Sequence, residues 1–166
     1  MHVKRILETC LYVNDLNVAE DFYHRTLGLV PISRLEGRHI FFRCDDGVFL
    51  LFNPARTQQA EGNVPPHGAK GPGHVAFAMQ DADISMWRKQ LSQNGVEIET
   101  EISWPGGGFS IYFRDPAGNS VELATPKTWG MTEKQQKESG KMNPKSKRTP
   151  PYEEDNILSP NGIPLR

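Results

Sequence analysis

"ETCLYVNDLNVAEDFYHRTLGL" (residues 8–29) returns in different letters as "HVAFAMQDADISMWRKQLSQNGV" (residues 74–96). Each copy opens with a short apolar or alternating run, "CLYV" or "VAFAM", which suits a β-strand. Each then meets short polar side chains able to accept from the first free helix N–H groups: Asn14 and Asp15, or Asp81 and Asp83. Helical spacing follows. Val18 and Phe22, then Ala19, Tyr23 and Leu27, recur at four, while Ile84, Trp87 and Leu91 recur at three and four. Gly28 and Gly95 close the two helices, where a residue without a β-carbon takes the left-handed conformation at little cost.

The correspondence continues downstream. "HIFFRCDDGVFLLFNP" (39–54) matches "SIYFRDPAGNSVELATP" (110–126), with Phe42 against Phe113, Arg43 against Arg114, Gly47 against Gly118 and Pro54 against Pro126. Each copy therefore reads β-α-β-β-β, and an ordered series of this kind indicates duplication. The modules span residues 4–54 and 71–129. A Pro- and Gly-rich linker occupies 55–70, and 130–166 reads as a polar, flexible tail poor in large apolar residues. The expected class is α+β, two tandem modules forming a curved, cupped mixed sheet.

Composition narrows the functional classes. With 166 residues and a formal net charge of -1, the chain has no whole-molecule signature of nucleic-acid binding. The short basic run "NPKSKR" in the tail reads as solvated charge. No apolar stretch approaches the roughly 20 residues of a membrane span. The opening "MHVKRILETC" is charged and lacks a signal peptide's apolar segment, so a cytoplasmic protein is expected. Cys10 and Cys44 are too few for a disulfide framework and read as buried free thiols.

Aligning the repeats locates candidate chemistry. His74 heads the second repeat where Glu8 heads the first, and both precede apolar strands. Glu122 lies between Val121 and Leu123, so strand alternation sends it to the face opposite those two. Its counterpart in the first repeat, counted back from Pro54 and Pro126, is Leu50. Two carboxylates and an imidazole from three strands suit a divalent cation, with Fe, Mn, Zn, Ni and Mg all compatible. Three protein donors leave positions open for water or substrate.

"LYVNDLNVAEDFYHRTLGL", "GHVAFAM" and "YFRDPAGNSVEL" resemble the vicinal-oxygen-chelate superfamily of glyoxalases, bleomycin-resistance proteins and extradiol dioxygenases, across residues 4–129. The resemblance implies a cupped sheet holding a metal at Glu8, His74 and Glu122. It also implies a homodimer, and lyase, isomerase or dioxygenase chemistry on a small oxygenated substrate through Lewis-acid stabilisation of negative charge. Glu8 stands where the dioxygenases and fosfomycin-type thiol transferases carry His, and Leu50 breaks the four-donor pattern of glyoxalase-type isomerases.

Two further residues are candidates for proton transfer: Tyr112, ten residues before Glu122, and His67, on the Gly-rich loop before His74. "WPGGGFS" (104–110) reads as a hairpin or lid, and Arg38 with His39 as contacts for an anionic substrate. The rival reading is a bleomycin-resistance-like protein that sequesters a small molecule without turnover. The three donors argue against it.

Overall fold

The computed structural model describes residues 2–60 and 64–132, so all but the first three residues of the flexible tail expected over 130–166 lie outside the described residues. Both β-α-β-β-β units are present. The first comprises β1 (Glu8–Tyr12), α1 (Leu16–Leu27), β2 (Pro31–Leu35), β3 (His39–Cys44) and β4 (Gly47–Phe52). A short α2 (Pro54–Thr57) follows, capped by the Asn53 side chain on the Ala55 N–H. The second comprises β5 (His74–Ala78), a 3₁₀ turn over Asp81–Asp83, α3 (Ile84–Gln93), β6 (Ile98–Ser103), β7 (Phe109–Arg114) and β8 (Ser120–Ala124).

The strand order is β1-β4-β3-β2 in one sheet and β5-β8-β7-β6 in the other, each with its first strand parallel to its last. The ladder of backbone hydrogen bonds does not run from one sheet into the next, so the protein has two four-stranded mixed sheets. The repeat extends to register. Leu50 stands opposite Cys10 as Glu122 stands opposite Ala76, each two residues into its strand pairing. Even the irregularities recur: β2 shifts register between Pro31 and Ser33, and β6 between Ile98 and Thr100.

The two modules bury one common core. Leu11, Ile40, Phe42, Phe49 and Leu51 come from the first, and Val75, Ile111, Phe113, Val121 and Leu123 from the second. On α1 the buried stripe is Leu16, Ala19, Tyr23 and Thr26, whereas Val18 turns outward. A four-residue spacing fixes neighbours on a helix but not which row meets the sheet. Asp15 caps α1 as its position predicts, accepting from the N–H groups of Asn17 and Val18. Asp83 makes no such bond, because the entering 3₁₀ turn gives it helical torsions, and Asp81 pairs with Lys127 instead. Gly28 and Gly95, both at φ 69°, terminate the helices as expected.

A buried polar knot joins the modules. Asp115 accepts at Oδ1 from the N–H groups of Ala117 (2.9 Å) and Asn119 (2.8 Å). At Oδ2 it accepts from Asn119 Nδ2 (2.8 Å) and from the Tyr23 hydroxyl of α1 (3.0 Å). Burial, and then the Asp115 charge, push the Tyr23 phenol far up, so it remains a donor. Tyr23→Phe removes a hydrogen bond to a buried carboxylate. It should cost about 1–3 kcal/mol of stability by urea denaturation, with the fold retained.

Candidate metal centre

Strand alternation buries one face of each sheet against the helices and leaves the other to carry the site. In the second sheet that open face presents His74, Ala76 and Ala78 from β5, Ser110 and Tyr112 from β7, and Ser120, Glu122 and Ala124 from β8. His74 Nε2 lies 3.3 Å from Glu122 Oε2. The imidazole is half exposed, while the carboxylate retains 9% of its side-chain exposure. The other ring nitrogen, Nδ1, is 3.1 Å from the Ser120 carbonyl oxygen. A carbonyl only accepts, so Nδ1 carries the hydrogen and Nε2 is directed at the carboxylate. With Nε2 unprotonated, its lone pair and the Glu122 oxygen both face the same point, where either a proton or a metal cation would bridge them. Fixing one ring nitrogen on a backbone carbonyl is also how metal-ligating histidines are oriented. Of the two cations nearest in sequence, Lys127 pairs with Asp81 and Arg114 is taken up by Glu99 at 2.7 and 2.9 Å.

Tyr112 faces Glu122 across the β7–β8 ladder, and its ring lies 6.3 Å from the His74 ring at an interplanar angle of 23°. Burial, and then the neighbouring Glu122 carboxylate, raise the Tyr112 phenol above its ordinary value, so the hydroxyl stays protonated beside the carboxylate. Behind it, the buried Ser110 hydroxyl accepts from Trp104 Nε1 at 2.9 Å. Sequence reading missed Ser110 and Trp104. The signal available was the i, i+2 placement of Ser110 and Tyr112 on one strand. The "WPGGGFS" segment is a tight hairpin, with Gly107 N–H on the Trp104 carbonyl, and it abuts the Thr128 backbone so closely that a Cβ at Gly108 would sit 2.3 Å from it.

The first sheet's equivalent face has a different character. Cys10 and Tyr12, His39 and Phe41, and Leu50 and Phe52 replace Ala76 and Ala78, Ser110 and Tyr112, and Glu122 and Ala124. His39 stacks on Phe41 at 4.1 Å, and Phe41 meets Phe52 edge-on at 5.4 Å. His67 belongs to this aromatic floor. Its Nδ1 is 2.8 Å from the Tyr12 hydroxyl, and its ring meets Phe52 edge-on at 4.6 Å. The structure thus groups His67 with Tyr12 and Phe52, and groups His74 with Glu122 and Tyr112.

Glu8 stands exposed at the head of β1, opposite Val48. Among the described residues no three His, Cys, Asp or Glu side chains gather closely enough to hold a metal ion, so Glu8 does not join the pair within one chain. The repeat argument places Glu8 and His74 at equivalent strand heads, but the two strands lie in separate sheets. The donor set His74–Glu122 fits a borderline or hard divalent ion as a two-point ligand, one neutral nitrogen and one carboxylate oxygen.

The model of the Glyoxalase/Bleomycin resistance protein/Dioxygenase superfamily matches residues 5–123. The chain belongs to that superfamily. It is 32% identical over 114 residues to the glutathione transferase FosA of Serratia marcescens, covering 68% of this chain and 74% of the relative. It is 29% identical over 114 residues to the metallothiol transferase FosB of Bacillus licheniformis, covering 68% and 70%. Among solved structures, the lactoylglutathione lyase of Agrobacterium tumefaciens superposes with a TM-score of 0.75 at 39% identity, over 78% of this chain and 98% of that one.

Burial, and secondarily Arg38, lower the His39 imidazole to about 4. An unfolded histidine titrates near 6.5, so the unfolded chain binds the extra proton between these values. The stability due to neutral His39 is therefore complete above about pH 6.5 and is lost as pH falls towards 4. His39→Gln should flatten that part of the urea-midpoint profile relative to wild type.

Proposed function

We propose that this chain is a divalent-metal-dependent enzyme acting on a small oxygenated molecule, with a thiol or thiol adduct as partner in the reaction. The reading is supported chiefly by His74 Nε2 directed at the buried Glu122 carboxylate while Nδ1 is held by the Ser120 carbonyl. His74 and Glu122 would hold the metal, whose contribution when bound is Lewis-acid stabilisation of negative charge developing on substrate oxygens. Tyr112, opposite Glu122 on the neighbouring strand, would keep a proton beside that site. Ala76 and Ala78 leave room over the carboxylate for a ligand. The thiol component rests on the printed names of the relatives, two thiol-dependent transferases and a glutathione-adduct lyase.

Glu8 is the third donor in this reading, contributed by a second copy of the chain. A two-fold pairing would bring the first module's open face of one subunit over the second module's open face of the other, making two equivalent sites. His67 would then reach the hollow from the aromatic side as a proton acceptor. The same chemistry favours an enzyme over a sequestering protein, for which apolar walls suffice.

The test is metal analysis of purified protein after loading with Mn(II), Zn(II) or Ni(II). Wild type should retain one ion per chain, and His74→Ala and Glu122→Ala should retain none; equal retention in all three removes the pair from the site. Co-refolded mixtures of Glu8→Ala and Glu122→Ala chains should recover about a quarter of the wild-type sites, because only the mixed dimer contains an intact one. Donors supplied within one chain would give no recovery.

A further inference from the structure

We infer that Asn119 is a positioning residue that sets the His74 ring, and that it does so by clamping the end of β1 to the start of β5. Its carboxamide is 1% exposed and every polar atom has a defined role. Oδ1 accepts the Gly73 N–H at 2.7 Å. Nδ2 donates to the Tyr12 carbonyl at 3.2 Å and to Asp115 Oδ2 at 2.8 Å. Only one amide orientation satisfies these partners, since Gly73 N–H can only donate and the other two can only accept. The Asn119 N–H is itself fixed on Asp115 Oδ1.

The neighbours of this clamp are the site. Gly73 precedes His74, and Ser120, whose carbonyl receives His74 Nδ1, follows Asn119. The backbone closes the same small ring through Ser120 N–H on the Gly73 carbonyl at 2.9 Å. Asn119 therefore holds both the peptide that carries the imidazole and the peptide that fixes its tautomer. The approach is tight: a Cβ at Gly73 would come within 2.7 Å of Leu11 Cδ2 and 3.4 Å of Asn119 Oδ1. Because Nδ2 also holds the Tyr12 carbonyl, the direction of His74 depends on where β1 of the other module lies. Tyr23, bonded to Asp115, anchors the same knot to α1 without touching the Gly73 peptide.

The metal part of this inference rests on the proposed reading of His74 as a ligand; the tautomer part does not. Long-range ¹H–¹⁵N NMR of the metal-free protein should show His74, assigned by its loss in His74→Ala, as the Nδ1–H tautomer. Asn119→Ala should shift it towards Nε2–H, while Tyr23→Phe, which loosens the same knot, should leave it unchanged. In parallel, Asn119→Ala should weaken Mn(II) binding about ten- to a hundred-fold by calorimetry, with Tyr23→Phe close to wild type. An unchanged tautomer in a folded Asn119→Ala protein, or an equal shift in Tyr23→Phe, overturns the positioning role. Absence of Mn(II) binding by wild type with the tautomer shift intact would instead overturn the metal reading alone.

Discussion

A buried carboxylate satisfied by four hydrogen bonds rather than by a cation holds this molecule together. Asp115 gathers two backbone N–H groups, a carboxamide and a phenol, and the phenol comes from the other half of the chain. An unsatisfied charge at that depth would cost several kcal/mol, so the four donors must be in place at once. Their simultaneous placement fixes the turn before β8, the start of β5 and the angle of α1. The apolar core supplies the driving force, but it is tolerant of shape; the knot is directional and gives the modules one register against each other.

That register has a chemical consequence. The two halves share an ancestor's plan down to the position of a bulge, yet their open faces have separated in kind. One has small residues around an imidazole–carboxylate pair; the other has rings and a histidine bonded to tyrosine. Opposite Cys10 the first half carries Leu50, and opposite Ala76 the second carries Glu122. Polarity is thus concentrated in one half.

Much of this could be read from the letters. Module order, the helix ends at Gly28 and Gly95, the cap at Asp15 and the equivalence of Leu50 with Glu122 are local or repeat-encoded, and the structure has all of them. What escaped depends on long-range geometry. Tyr23 and Asp115 are 92 positions apart, and no spacing rule relates them. Val18 shares helical spacing with Phe22 yet faces solvent, because periodicity finds a stripe without saying which neighbouring row meets the sheet. Glu8 shares a strand position with His74, but alternation tells which side of its own sheet a residue occupies, not where two sheets sit in space. The pairing of His67 with Tyr12, and the tautomer-fixing Ser120 carbonyl, likewise belong to the assembled structure.

The matching shifts in β2 and β6 bear on solubility. These strands lie at the outer rims of the two sheets, where unpaired amides would serve as a template for a stranger's strand. A bulge bends each rim away from the flat geometry that such addition needs. Charge reinforces this: Arg34 on β2 is pinned by Glu20 and Glu36, and Glu99 and Glu101 on β6 are held by Arg114 and Arg88. The outer rims at β2 and β6 are thereby blunted against lateral addition of another strand.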